Sequence, residues 1–340
     1  MNMELFEIIK NAPENSQLIT DSIVITHAKL KQYDKILCSV SGGSDSDILV
    51  DLCQKFDDAD KITYAFFDTG IEFRATKEHI AFLEQKYNIH IEHIKAVKPI
   101  PICCKTYGQP FLSKQVSEWI ERLQRHDFKW EDKPFDILYK EYPKCRAALR
   151  WWCNDFARSE TGKESSFNIG YNQYLKEFMI QNPPDFKISN KCCHYAKKMT
   201  ANRFKTTGKF DLNIYGVRKA EGGARRSAYK TCFSSSTSGC DEYRPIFWYL
   251  SDTKKIYEEH YNIEHSRCYN EYGLKRTGCA GCPFGQNFES ELLAMKDHEP
   301  ELFKAVNYIF KNSYEYTRKY RKFVAEMKSL GGNQHGIQND

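Results

Sequence analysis

No apolar run in the chain approaches the roughly 20 residues that a membrane-spanning helix needs. The opening residues Met1-Asn2-Met3-Glu4 have no basic stretch leading into an apolar one, so nothing there reads as a secretory leader. Charge of one sign is in short supply too. Against 50 Lys and Arg stand 45 Asp and Glu, a net charge of +5. That balance is compatible with nucleotide or nucleic-acid partners but does not by itself point to them. These absences read as a soluble, cytoplasmic chain that makes no use of a membrane. Its 340 residues suffice for one large or two modest domains with a sizeable core.

Cysteine, by contrast, is plentiful. The chain holds 13, an odd number, including Cys103-Cys104, Cys192-Cys193 and one Cys-x-x-Cys at Cys279 and Cys282. In a reducing compartment this pattern argues for metal, iron–sulfur or thiol chemistry rather than a disulfide framework.

The stretch Ser41-Gly42-Gly43-Ser44-Asp45-Ser46 follows an apolar run, Lys35 to Val40, that reads as a buried strand. After it, Ile48, Leu49, Leu52, Cys53 and Phe56 recur at helical spacing. A strand, a glycine-rich turn and a helix in that order make an anion site. Glycines let backbone N–H groups approach phosphate oxygens, and the helix N-terminus adds partial positive charge. Ser44 or Asp45 also qualifies as an ordinary N-cap. No Lys-Ser or Lys-Thr follows the glycines, so this is not the Gly-x-x-x-x-Gly-Lys loop of nucleoside triphosphatases.

A second apolar run, Lys61 to Phe67, ends in Asp68-Thr69-Gly70, and Thr76 to Tyr87 reads as a helix. His90 to Val97 alternates like a third strand. Alternating strands and helices predict an α/β fold, a parallel sheet with crossover helices, whose ligands bind beyond the carboxyl ends of the strands. Ser41–Ser46 and Asp68–Gly70 both fall at such ends.

These motifs resemble the phosphoadenosine phosphosulfate (PAPS) reductase family within the ATP pyrophosphatase superfamily. Ser41–Ser46 is similar to its Ser-Gly-Gly-x-Asp-Ser pyrophosphate loop, and Asp68-Thr69-Gly70-Ile71-Glu72-Phe73 to a second marker near the nucleotide. The resemblance implies an adenine-nucleotide alpha-hydrolase-like, Rossmann-like sheet with flanking helices and a helical C-terminal extension. The residue pattern places a leading helical segment over 1–30 and, within a nucleotide-binding domain over 31–285, a less regular helical insertion at 98–165 whose start Pro99, Pro101 and Pro110 break. Helices over 286–330 and a disordered tail over 331–340 complete the expectation. Arg150-Trp151-Trp152-Cys153 is similar to an Arg-Trp-Cys segment of the family, with a doubled tryptophan. Leu212 to Arg226 is similar to its Gly-(Val/Leu/Met)-Arg stretch, with Gly222 or Gly223 where serine is usual. Guanidinium forks match phosphate and sulfate geometry, so Arg218, with Arg225 and Arg226, reads as an oxyanion clamp.

Cys192-Cys193 paired with Cys279 and Cys282 resembles the Cys-Cys … Cys-x-x-Cys layout of iron–sulfur adenylylsulfate reductases. Four thiolates from two such segments fit a [4Fe–4S] cluster, with zinc as the alternative. His194 is an optional further ligand. Cys103-Cys104 reads as small apolar core residues. Tyr243 to Asp252 resembles the family's Arg-Pro-Ile … Trp turn into a capped helix and reads as structural. Aromatic and basic residues interleave from Tyr314 to Lys322; a helix with solvated basic residues is favoured there over a nucleic-acid face.

The family's reductases use a cysteine on a C-terminal tail, and here none occurs after Cys282. The intact loop instead implies ATP cleavage between its α- and β-phosphates, adenylation and pyrophosphate release, in sulfur transfer to an acceptor such as a nucleic acid. In that reading Ser41, Gly42, Gly43, Ser44 and Ser46 cradle pyrophosphate and Asp68, Thr69, Gly70 and Arg225 bind nucleotide. Asp45 holds Mg²⁺, Arg218 steadies the transition state, and Cys232 (or Cys240) carries sulfur from a donor protein. Two alternatives stand beside it. One is a sulfonucleotide reductase served by a thiol reductant; the other is an accessory subunit that binds ATP without turnover.

Overall fold

The computed structural model describes residues 3–14, 16–57, 60–157, 162–222, 228–237 and 239–334. Five strands, Ile36–Val40 (β1), Ile62–Asp68 (β2), Ile91–Lys95 (β3), Leu212–Tyr215 (β4) and Asp241–Tyr243 (β6), pair in parallel. The short Phe233–Ser234 (β5) closes one edge antiparallel to β6. Strand order is β3-β2-β1-β4-β6-β5. The order reverses at β1: β2 lies on one side and β4 on the other. The loops leaving β1 and β4 therefore diverge around a crevice, where open parallel sheets bind ligands.

Alternation along β1 sorts its side chains between two apolar layers. Ile36, Cys38 and Val40 pack with Ile48, Leu49 and Leu52 of the helix Ser44–Gln54, together with Ile214. Leu37 points the other way, against Ala65, Phe210 and Cys240.

The chain forms two compact units. The first comprises Met1–Pro99, Tyr195–Ala280 and Leu293–Pro300 and contains the whole sheet. The second comprises Ile100–His194, Gly281–Leu292 and Glu301–Asp340. It takes in the helical insertion and continues beyond residue 165. Its core is aromatic: Phe111, Phe128, Trp130, Trp151, Trp152 and Phe178 pack with Tyr316 and Tyr320 of the helix Lys311–Gln334. The doubled tryptophan is thus a packing feature, with Trp152 Nε1 donating to the Glu131 carbonyl at 2.9 Å. The aromatics between Tyr314 and Lys322 point inward, and Arg318 forms a forked pair with Glu289 at 2.9 Å. No helix among the described residues is long and apolar enough to cross a membrane.

Candidate active site

The site grows from the turn after β1. Gly42 has φ +66°, a left-handed conformation, and a Cβ there would stand 2.7 Å from a methyl of Thr76. Only glycine satisfies both constraints. Gly43, rather than Ser44 or Asp45, is the N-cap of the helix Ser44–Gln54. The hydroxyl of Ser46 does the capping work: it donates to the Gly43 carbonyl at 2.7 Å and accepts from the Gly43 amide at 3.2 Å. Ser44 and Asp45 are thereby left in the first turn, with their side chains facing a polar cavity.

That cavity, of about 300 Å³, lies wholly within the first unit. Ser41, Gly43, Ser44 and Asp45 form one wall, and Gly216, Arg218 and Glu221 beyond β4 form a second. Lys254, from the helix Ser251–His260, and Tyr269, Lys275, Arg276 and Thr277 complete it. A Cβ on Gly216 would stand 3.2 Å from that of Asp45, so a glycine here lets the end of β4 come close to the loop.

The lining holds four cations and two carboxylates. Arg218 Nε lies 3.1 and 3.3 Å from the two oxygens of Asp45. Lys254 Nζ lies 2.9 Å from Asp45 Oδ1, also donates to Ser44 Oγ, and lies 3.4 Å from Glu258. Lys275 and Arg276 are exposed and have no carboxylate partner among the described residues. The Ser44 amide at the helix N-terminus donates to the Tyr269 hydroxyl at 3.0 Å, which in turn lies 3.3 Å from the Thr277 hydroxyl. Excess positive charge, a helix N-terminus and a narrow glycine-lined wall together suit a polyanion carrying several oxygens.

Behind Lys254 runs a chain of shielded charges. Glu258 lies 2.9 Å from His265 Nε2, His265 Nδ1 lies 2.7 Å from Asp47, and Asp47 lies 3.0 Å from His79. Burial alone would push the His265 pKa down. The Asp47 and Glu258 carboxylates outweigh it and raise it to about 9.

Of the residues expected from sequence, Ser41, Gly43, Ser44, Asp45 and Arg218 meet at this cavity. Gly42 and Ser46 shape the loop from behind without lining it. Arg225 and Arg226 lie outside the described residues. Asp68, Thr69 and Gly70 end the neighbouring strand β2 in a turn of their own. Asp68 accepts from the Gly70 amide at 2.8 Å and pairs with Lys77 at 2.7 Å. Burial works against its charge, but the Lys77 ammonium and the Gly70 amide more than compensate and hold its pKa low. Thr69 donates to Glu72, and its hydroxyl lies 3.6 Å from Cys279 Sγ. Burial pushes both the Glu72 carboxyl and the Cys279 thiol up, against the pull of Lys197.

Cys232 is half-buried immediately before β5 and does not line the cavity; Cys240 is packed into the apolar layer under Leu37. Cys192, Cys193 and Cys282 belong to the second unit and Cys279 to the first. Within the second unit, the helix Ile100–Tyr107 packs on Lys191–Cys193 and brings Cys104 within hydrogen-bonding reach of Cys192. This contact raises the Cys192 pKa, and burial adds to it, against the lowering pull of the nearby Cys193. Cys104 is buried as expected, but its neighbour is a thiol rather than an apolar chain. Among the described residues, no group of three or more His, Cys, Asp or Glu side chains is arranged to hold a metal ion. The cavity lining suits Mg²⁺. Its carboxylate and hydroxyl donors are hard oxygens, and Mg²⁺ is ordinarily bound by one or two carboxylates plus substrate phosphates.

Lys254, Tyr269, Lys275, Arg276 and Thr277 escape a reading of the sequence. Lys275-Arg276 is a basic pair directly before the Thr277-Gly278-Cys279 motif, and that adjacency is the one signal that points to it. Lys254 sits in a helix whose spacing suggests only packing.

A comparison with protein families matches residues 35–147 to the phosphoadenosine phosphosulfate reductase domain. The match spans about a third of the chain. It covers β1 to β3 and the glycine loop and runs into the helical insertion. Among curated proteins the chain matches none. Among solved structures it is similar to PAPS reductase from Candida auris in a phosphate complex, at 11% identity and a TM-score of 0.43, covering 79% of this chain and 97% of that one. The U34-tRNA thiolase NcsA from Methanococcus maripaludis with its [4Fe–4S] cluster gives 12%, 0.36, 90% and 80%. The NH3-dependent NAD synthetase from Campylobacter jejuni in complex with nitrate gives 12%, 0.35, 93% and 96%.

Proposed function

We propose that the PAPS reductase domain and the residues around its loop bind ATP and cleave it between the α- and β-phosphates. The acceptor is thereby adenylated and pyrophosphate is released. The observation that carries this reading is the cavity beside the loop, where Arg218, Lys254, Lys275 and Arg276 surround Asp45 at the start of the Ser44–Gln54 helix.

In the proposed reaction an acceptor atom attacks the α-phosphorus, and the bond from that phosphorus to the bridging oxygen breaks. Negative charge then builds on the departing pyrophosphate. The Ser44 backbone amide, once Tyr269 yields it, and the hydroxyls of Ser41 and Ser44 receive its oxygens. Lys275 and Arg276, without carboxylate partners among the described residues, meet the added charge and need no rearrangement of ion pairs. Arg218 turns from Asp45 toward the phosphates. Asp45, with Glu221 opposite, would hold Mg²⁺, which when bound neutralises phosphate oxygens. Hydrosulfide delivered by a donor protein then attacks the adenylated atom of the acceptor, the bond from that atom to the AMP oxygen breaks, and AMP leaves with sulfur in its place; a nucleic acid is one choice of acceptor. Cys232 does not line the cavity and has no part in the phosphoryl step. A centre on Cys192, Cys193, Cys279 and Cys282 has none either.

One observation favours a second reading, sulfonucleotide reduction: the matched family description itself. Against it, none of the described residues lining the cavity is a cysteine. Product analysis separates the two. ATP with Mg²⁺ and a cell extract as acceptor source is expected to give protein-dependent AMP and pyrophosphate, reduced roughly 100-fold in Arg218→Met. Sulfite from PAPS or adenylylsulfate with a dithiol, and no pyrophosphate from ATP, would select the second reading. Binding of ATP with neither product would select an accessory role.

A further inference from the structure

Both oxygens of Asp45 are engaged by cations. Arg218 Nε lies 3.1 and 3.3 Å from them, and Lys254 Nζ lies 2.9 Å from Oδ1. All three side chains are shielded, at 13–17% exposure. A carboxylate already neutralised in this way attracts a divalent ion weakly, and the ion would also have to approach two positive groups across a partly dehydrated space. The Lys254 ammonium is not fixed on Asp45 alone. It reaches Ser44 Oγ on the cavity wall and is tethered from behind by Glu258 at 3.4 Å, which is itself braced by His265 at 2.9 Å. A small rotation about the lysine stem exchanges a carboxylate partner for a phosphate one while the tether is kept.

We propose that Lys254 masks Asp45 in the ligand-free protein and transfers its ammonium to phosphate when the cavity fills, so that Asp45 accepts a divalent cation only with nucleotide present. This rests on the reading of the cavity as a phosphate site and deepens it. Lys254 is the residue that couples phosphate binding to metal binding. A phosphate that draws Lys254 away improves metal affinity, and by linkage the metal improves phosphate affinity by the same factor. Free nucleotide-less protein is thereby kept from holding metal in an unproductive state.

The test uses the full chain, Mn²⁺ as the metal probe read by electron paramagnetic resonance, and inorganic pyrophosphate read by calorimetry without metal. Wild type is expected to bind Mn²⁺ weakly in the absence of pyrophosphate. Lys254→Met should bind it about tenfold more tightly, a gain within the usual range for coupled sites, and should bind pyrophosphate more weakly. The Mn²⁺ gain should vanish in Lys254→Met/Asp45→Asn, and Lys254→Arg should behave as wild type. Unchanged Mn²⁺ affinity in Lys254→Met, or a gain that survives loss of Asp45, would overturn the masking. Should Lys254→Met fail to fold by circular dichroism, Lys254→Gln serves with the same outcomes. Wild-type protein that binds no pyrophosphate would overturn the phosphate-site reading. Pyrophosphate binding with no Mn²⁺ gain would overturn the coupling alone.

Discussion

Single residues around the loop divide into those that shape it and those that face the cavity, and the two groups fail differently when changed. Ser46 is almost fully buried and is spent on the Gly43 carbonyl and amide. Ser46→Ala should therefore cost about 1 kcal/mol of stability by urea unfolding, the usual cost of losing a cap. Pyrophosphate affinity should change only slightly, and a collapse of affinity at unchanged stability would mean that Ser46 contacts ligand after all. Asp45→Asn should act in the opposite sense. It removes the negative partner of Arg218 and Lys254, so metal-free pyrophosphate binding should tighten by about tenfold, equivalent to ~1.4 kcal/mol. ATP turnover should fall at the same time. Tightening without loss of turnover would remove Asp45 from metal binding and leave it a charge balancer. The glycine loop was legible because its chemistry is local: strand, turn and helix stand in consecutive residues. Lys254 was not, because its partner lies on a helix far away in sequence and only the fold brings the two together.

Among the elements, the helix Ser251–His260 and the loop after it matter more than their sequence suggests. They carry Lys254, Glu258 and His265, the line of charge that ends on Asp47 in the loop helix. His265, with a pKa raised to about 9 by Asp47 and Glu258 against the effect of burial, binds its proton more tightly folded than unfolded. Its contribution to stability is therefore complete below the unfolded value near 6.5 and is lost as pH rises through about 9. The sum is at most about 3 kcal/mol. Urea unfolding across pH 6 to about 10 should show this decline in wild type and a flatter profile in His265→Gln. Equal slopes in both would show that the charge on His265 does not couple to folding. The expectation that this segment is structural holds for Tyr257, which is buried and bonded to Asp51 at 2.6 Å. It misses Lys254 because helical spacing reports which residues are buried, not which polar side chain at the rim faces a cavity. Sheet elements were easier. β1, β2 and β3 are apolar runs ended by turn residues, and their parallel pairing follows from the helices between them.

At the scale of the whole molecule, the chain divides its labour between a sheet unit that holds every cavity residue and a helical unit with an aromatic core. The insertion was legible as a break in the strand–helix alternation, but its extent was not. Tyr316 and Tyr320 pack on residues far earlier in the chain, a pairing that helical periodicity does not encode. Trp152→Ala should cost about 3–5 kcal/mol in the second unit, as large-to-small changes in tight cores do. Because the cavity lies in the first unit, pyrophosphate affinity at low temperature should survive that change. Its loss would mean that binding depends on the second unit. Occupation of the cavity beside Ser41–Asp45 by ATP phosphates is tested most directly by competitive calorimetry. Pyrophosphate should displace ATP from wild-type protein one for one, with affinity falling as salt rises, and Arg218→Met/Arg276→Met should lose both ligands together. ATP that binds with unchanged affinity to the double variant, or that pyrophosphate fails to displace, would contradict it.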